Sequence, residues 1–413
     1  MTLCALTALT LLAYTYVGYP IAIGLLARLM PYRTAGAARA PAEPPAPTDA
    51  KPGSKTSPKT SPKTSPKTSP KTSPKTSPKT SPKTSPKISA LLPVFDGAAH
   101  LDAKLDSLLA QDYPPELLDV LVYCDGCTDD TPERARARAG EPAAAGRVQV
   151  FSSTARRGKP AALNALRAQA TGDLLLLNDV RQPLSRGAAR ALARALEDPE
   201  VGCATGNLVL AGGAPSGVYW RYENWIRRQE SRFRGVVGMS GSIAMMRRAE
   251  LDPLPADLIL DDVWIPARLG LAGKRVAFVA EAEAYDAAFE DEHEFRRKVR
   301  TLAGNYQLFA LVPTLLAPFA NPFWFELVSH KVMRLLAPWL MLALAITSTA
   351  AAVAGRRPLM LLLVVAQVAF YGAAGAGRRA GRLAGVARTF VVLNLAAVVG
   401  LGKFLSGRQR VTW

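Results

Sequence analysis

The stretch VLVYCDGCTDDTPERARARA, residues 120–139, changes character at one point. Residues 120–125 are a short apolar run, rich in β-branched and aromatic side chains, that closes on Asp125. Such a run of strand length is what a strand buried on both faces looks like. Gly126 then opens a polar turn, and TPERARARA (131–139) reads as a helix. A carboxylate at the end of a buried strand, facing a helix start, is the site of nucleotide and metal chemistry in α/β sheets.

The same grammar repeats outward. ISALLPVF (88–95) and RVQVF (147–151) read as strands, and DLLLLND (173–179) is a second apolar run ending in acid. LDAKLDSLLAQ (101–111) and KPAALNALRAQA (159–170) have helical spacing. Further strands are expected at 201–210, 236–246 and 275–280, and helices at 215–233 and 262–272. Strand–helix alternation of this kind predicts an α/β fold with a mainly parallel sheet.

Outside residues 88–305 the chain changes twice. Residues 3–27 carry no charge and are long enough to cross a bilayer. Arg28, Arg33 and Arg39 follow, which by the positive-inside rule puts the next segment in the cytoplasm. Residues 31–87 read as a linker, because from Lys55 to Pro86 the unit Lys-Thr-Ser-Pro repeats eight times. Proline at every fourth position forbids helix and ladder, and little is apolar enough to bury. At the other end, 335–354, 359–375 and 384–405 are long enough to span. Residues 306–330, broken by Pro313, Pro318 and Pro322, suit an interfacial or membrane segment, and 331–413 a set of C-terminal transmembrane helices.

The formal charge of +18 is concentrated. Residues 51–87 hold ten lysines and no acid, which leaves about +8 for the rest. That is ordinary for a protein facing anionic headgroups, and the lysine arm lacks the interleaved aromatics of a nucleic-acid binder. Four cysteines make no disulfide framework. Cys124 and Cys127 form a C-x-x-C, which reads as part of the turn rather than as a redox or zinc pair, since no second such motif is present.

Four clusters carry chemistry. Asp125 can accept from a nucleotide's ring N–H or ribose hydroxyl, whereas Thr128 and Asp129 suit helix capping. Gly158-Lys159 opens a helix, where a phosphate is favoured. Asp179 can reach a divalent cation that bridges two phosphates, and Arg181 can clamp a diphosphate or pair with Asp179. Asp261-Asp262 opens a helix, as a dipole partner or as a general base. Arg296 to Arg300 form a basic stretch just before the membrane, either a positive-inside collar or a cradle for a leaving diphosphate.

In order and type these motifs resemble the family-2 glycosyltransferases, in the membrane-embedded branch of hyaluronan, chitin and cellulose synthases. LLPVFDG resembles the family's opening strand and turn, CDGCTDDT its aspartate–glycine turn, GKPAALNAL its Gly-Lys helix, and NDVRQ stands at its Asp-x-Asp metal motif. MSGSIAMMRR resembles the acceptor-side strand, and LDDVWIPARLGLAG the motif that supplies the base. The resemblance implies a GT-A catalytic domain over 88–305, flanked by transmembrane helices. It implies an inverting transfer from a nucleoside diphosphate sugar, UDP-linked, to a polysaccharide or lipid-linked acceptor. Asp125, Lys159, Asp179, Arg181 and Arg300 would bind donor, Asp179 would hold Mg²⁺ or Mn²⁺, and Asp262 would be the base. The protein is then expected in the inner or plasma membrane with its catalytic domain in the cytoplasm, with export partners for a polysaccharide product. Two departures stand out. The second metal acid is Arg181, and of the Gln-x-x-Arg-Trp motif of processive members only Arg300 is kept. The alternative is a non-catalytic tethered subunit with a degenerate site.

Overall fold

The computed structural model describes residues 1–32, 85–144, 146–211, 216–287, 291–355 and 357–409. The Lys-Thr-Ser-Pro repeat and most of the expected linker lie outside the described residues.

Seven strands form one sheet in the order β3-β2-β1-β4-β6-β5-β7. They are β1 (Ile88–Val94), β2 (Leu118–Asp125), β3 (Val148–Ser153), β4 (Leu174–Asn178), β5 (Val201–Ala211), β6 (Ile243–Arg247) and β7 (Arg275–Ala287). Pairing is parallel between β1 and β2, β2 and β3, β1 and β4, and β5 and β7. β6 runs antiparallel to both β4 and β5. The sequence leads to the parallel half, but the expected strand over 236–246 shrinks to β6. Residues 236–239 instead bond to neighbouring backbone: the Val236 amide to Val276 and the Met239 amide to Asp262.

Alternation within each strand builds two cores. Ile88, Ala90, Leu92 and Val94 of β1 pack on one face with Leu101, Leu105 and Leu108. Leu91 of β1 packs on the other with Leu163, Leu166 and Leu175. Every residue of β1 and β4 is buried, as strands covered on both faces require. Each leucine so buried contributes about 1.5–3 kcal/mol.

Helices α1 (Thr2–Ala13) and α2 (Tyr19–Leu29) flank a π-helical turn, Tyr14–Gly18. Following β1 in the chain come α3 (Ala98–Leu109), α4 (Thr131–Ala139), α5 (Lys159–Gln169), α6 (Ala188–Ala195), α7 (Ser216–Phe233), α8 (Asp261–Leu271) and α9 (Asp291–Leu311). The C-terminal helices are α10 (Trp324–Leu327), α11 (Met333–Gly355), α12 (Pro358–Ala376) and α13 (Arg382–Leu405). Among the described residues four helical stretches are long and apolar enough to cross a membrane: Thr2–Leu29, Trp324–Gly355, Pro358–Ala376 and Arg382–Leu405.

The N-terminal stretch is seated on the rest by specific contacts. Ala5 and Ala8 of α1 pack with Leu344, Ala351 and Met360. Tyr19, Ile23 and Ala27 of α2 pack with Ile226 and Phe233 of α7. The Tyr19 hydroxyl donates to Glu230 at 2.5 Å, and the Tyr222 hydroxyl to the Tyr16 carbonyl at 2.9 Å.

Candidate active site

The strand order reverses direction between β1 and β4, which opens a crevice at the carboxyl ends of the parallel strands. Asp125 closes β2 beside it, and Asp179 follows β4.

Asp125 is completely buried. Its carboxylate accepts the backbone N–H of Arg157 at 2.8 Å and of Gly158 at 2.7 Å. Its part in the fold is therefore to hold the turn that starts α5. Gly126 allows this approach: its φ is +64°, and a β-carbon there would lie 2.6 Å from the Arg156 nitrogen. The adjoining turn after β1 is tied in by Asp96, whose φ is 45°. Its carboxylate accepts from the Thr128 amide at 2.7 Å and hydroxyl at 3.0 Å. Asp96, Cys127 and Asp129 bring ligand-type atoms within 4.8 Å of one another. The Asp129 carboxylate, however, also accepts the Ala98 and Thr131 amides, so both acids serve as joints between turns. Both cysteines of the C-x-x-C are free thiols, Cys124 buried and Cys127 partly so.

Lys159, at the first position of α5, lies among acids. Its Nζ is 2.9 Å from Asp179 Oδ1 and 3.2 Å from Asp261 Oδ2. Burial pushes its ammonium pKa down, but Asp179, Asp261 and Asp262 outweigh this and the net shift is upward, so Lys159 stays charged. Lys159, Asp179 and Asp262 meet over Gly241. A β-carbon built there would touch Asp179 Oδ2 and Lys159 Nζ at 3.7 Å and Asp262 Oδ2 at 3.9 Å. The Gly238–Ser242 turn carrying that glycine is fixed by the Ser240 amide, which donates to Thr205 Oγ1 at 2.7 Å.

Asp262 is partly buried, and its Oδ1 has no hydrogen-bond partner. Burial, and then the neighbouring Asp261, raise its carboxyl pKa to about 6 against the opposing pull of Lys159, Lys331 and Arg300. Arg300 reaches the same loop, donating from Nη2 to the Ile259 carbonyl at 3.1 Å. Arg181 points elsewhere: Nη2 pairs with Asp286 Oδ2 at 2.7 Å, and Gln182 donates to the same oxygen at 2.7 Å. From sequence Arg181 is a partner for a diphosphate or for Asp179; the fold adds Asp286, which β7 brings in from 105 residues away. Beneath this loop the completely buried Lys104 donates to the Gln182 carbonyl at 2.7 Å.

Asp179 and Asp262 each turn an oxygen, the ligand type a hard divalent cation takes, toward the space over Gly241. The Asp179 side chain is 39% exposed with Oδ2 facing the space over Gly241, and Asp262 keeps an unpartnered oxygen.

A cavity of about 990 Å³ opens on the other flank of Asp262, between α7, α9, α13 and the π-helical turn Val328–Val332 that precedes α11. Its wall includes Asp262 but none of Lys159, Asp179 or Arg300, so Asp262 stands where two spaces meet. Arg227 and Lys331 of that wall escaped the sequence reading. For Lys331 the signal was present: charge inside an apolar helical stretch marks function by default. For Arg227 nothing local distinguishes it from the other arginines of α7.

The family model of glycosyl transferase family 2 matches residues 89–253, which hold Asp125, Lys159, Asp179 and Arg181 but not Asp262 or Arg300. An N-acetylglucosaminyltransferase of Rhizobium sp. (strain N33) is 30% identical over 171 residues, 39% of this chain and 37% of that protein. One from Rhizobium meliloti (strain 1021) is 32% identical over 171 residues, 37% of each. The matched stretch thus spans little more than a third of the length of these relatives. A solved mannosyltransferase, PcManGT from Pyrobaculum calidifontis in complex with GDP-Man and Mn²⁺, superposes with a TM-score of 0.64 at 26% identity. It covers 79% of this chain and 89% of that one. At the centre of this chain, then, stands a glycosyl transferase family 2 domain matched over residues 89–253 and built on a GT-A sheet.

Proposed function

We propose that the chain is an inverting glycosyltransferase of the membrane-embedded synthase type. It moves a sugar from a nucleoside diphosphate sugar, UDP-linked, to a polysaccharide or lipid-linked acceptor. The observation that carries this is the meeting of Lys159, Asp179 and Asp262 over Gly241, with a large cavity entering from the far flank of Asp262.

In this reading the turn held by Asp125 receives the nucleotide. Lys159, at the start of α5, offers its ammonium to the diphosphate, helped by the helix N-terminus. Arg300 braces the loop that carries the base and adds positive charge near the leaving group. Arg181 acts through its pair with Asp286, shaping the donor wall. Asp179 would hold Mg²⁺ or Mn²⁺, which when bound supplies neutralisation of diphosphate charge. Asp262 takes the proton of the acceptor hydroxyl as that oxygen attacks the anomeric carbon from the face opposite the leaving diphosphate. One base and no enzyme nucleophile suffice for this single displacement.

Four span-length helices support an integral membrane protein, and the arginines after the first span support a cytoplasmic catalytic domain. The partly buried, unpartnered Asp262 favours an enzyme over a degenerate subunit. A polysaccharide product would call for export partners.

The test is nucleotide release by the detergent-purified full chain across a panel of UDP- and GDP-sugars, with product mass analysis. Asp262→Asn should abolish sugar transfer while leaving nucleotide binding intact. Full transfer by that variant would end the proposal.

A further inference from the structure

The inner face of α3 carries a lysine where an apolar side chain would pack. That face consists of Leu101, Lys104, Leu105 and Leu108. Lys104 is completely buried, and its Nζ donates to the Gln182 carbonyl at 2.7 Å. Burial pushes its ammonium pKa down to about 7, and Asp179 is the charge that pulls it back up. Withdrawing an ammonium from water is costly, and methionine, of similar shape, would fill the space without that cost. Packing alone therefore gives no reason for a lysine at this place.

What the lysine holds gives one. Residues 179–182 form the turn that follows β4, and Asp179 opens it. Its far end is fixed twice: the Gln182 carbonyl by Lys104, and the Gln182 side chain by Asp286, which also takes Arg181. Val180 lies against the start of α3, since a β-carbon on Gly97 would meet Val180 Cγ1 at 3.1 Å. The same helix start is bound to the turn after β2. The Gly97 amide donates to Thr131 Oγ1 at 2.9 Å, and the Ala98 amide to Asp129 Oδ2 at 3.1 Å. From Ala98 to Lys104 the helix runs about 9 Å. α3 thus joins, as one rigid piece, the turn that receives the nucleotide and the turn that carries Asp179.

Resting on the transferase reading, we propose that Lys104 is a positioning residue for the donor: through the Gln182 carbonyl it sets where Asp179 stands relative to the nucleotide turn. Being completely buried, it touches neither the donor nor a metal ion. Its removal has two consequences of opposite sign. Loss of a positive charge near Asp179 would tighten the hold on a divalent cation. Loss of the hydrogen bond leaves the carbonyl of the buried Gln182 without its partner and frees the turn, which would weaken that hold. Positioning requires the second to prevail.

The test is Mn²⁺ binding to the detergent-purified full chain, without donor, followed by the electron paramagnetic resonance of free Mn²⁺. Lys104→Met keeps most of the stem and loses the hydrogen-bond donor. It should raise the Kd for Mn²⁺ at least about tenfold in protein that circular dichroism shows to be folded. Lys104→Gln, with a donor of shorter reach, should lie between. In nucleotide-release assays the KM for the sugar donor should rise in step, while the acid limb set by Asp262 stays where it is. Unchanged or tighter Mn²⁺ binding in folded Lys104→Met overturns the proposal, as does a wild-type chain that binds no Mn²⁺. Failure of both variants to fold would make Lys104 a folding residue and overturn it too. A wild-type chain that binds Mn²⁺ but releases no nucleotide from any sugar donor would count against the transferase reading instead.

Discussion

Acidifying the assay should switch the reaction off far above the ordinary range of an aspartate. The carboxyl of Asp262 titrates at about 6, raised by burial and by Asp261. Only the ionised form accepts a proton, so activity is held above this value and lost below it. At pH 7.5 about 97% of Asp262 is ionised, and at pH 5 about 9%. kcat/KM, which reports the free enzyme, should therefore fall about tenfold between those values. An aspartate at its ordinary value would lose less than about a tenth of its activity over the same range. Asp261→Asn removes the second upward cause and leaves Lys159 more strongly directed at the remaining acids. Its acid limb should move to lower pH, whatever happens to the plateau. The assay is initial-rate nucleotide release in buffers from pH 5 to 8, with circular dichroism confirming that the fold persists. A profile flat to pH 5, or a limb unmoved in Asp261→Asn, would refute Asp262 as the base.

Lys159→Met strips Asp179 and Asp261 of their shared cation. It should weaken nucleotide binding at least about tenfold by calorimetry and lower the thermal midpoint. Chelation by EDTA should reduce turnover at least about a hundredfold, with Mg²⁺ or Mn²⁺ restoring it, whereas undiminished turnover would remove Asp179 from its proposed role. Gly126→Ala forces a β-carbon against Arg156 at positive φ and should cost about 1–3 kcal/mol, read as a drop in the thermal midpoint. An unshifted midpoint would mean that the turn is looser than its contacts indicate.

The parallel half of the sheet was legible chiefly because β1, β2 and β4 are buried on both faces. Such strands print as continuous apolar runs, and Asp125 and Asp179 stand out at their ends. β6 was not legible in its true length or direction. It is short, and the sequence before it is held by isolated backbone bonds rather than by a ladder. Site residues were visible by type but not by partner. Nothing near Arg181 announces Asp286, nothing near Asp125 says that its oxygens will be taken by the amides of residues 157 and 158, and Arg227 gains meaning only from what α7 faces. Local pattern reports burial, while pairing across a hundred residues is decided by the sheet order.

The contacts between the first thirty-two residues and the remainder are all non-covalent. Tyr19 meets Glu230, the Tyr32 amide donates to the Arg232 carbonyl at 2.7 Å, and the Arg275 guanidinium lies 3.5 Å from the centre of the Tyr32 ring. None of these requires residues 33–84. The chain could thus be cut or lengthened within that stretch and the two fragments, expressed separately, should reassemble into one enzyme. The number of Lys-Thr-Ser-Pro units is then free to drift without disturbing the machinery on either side.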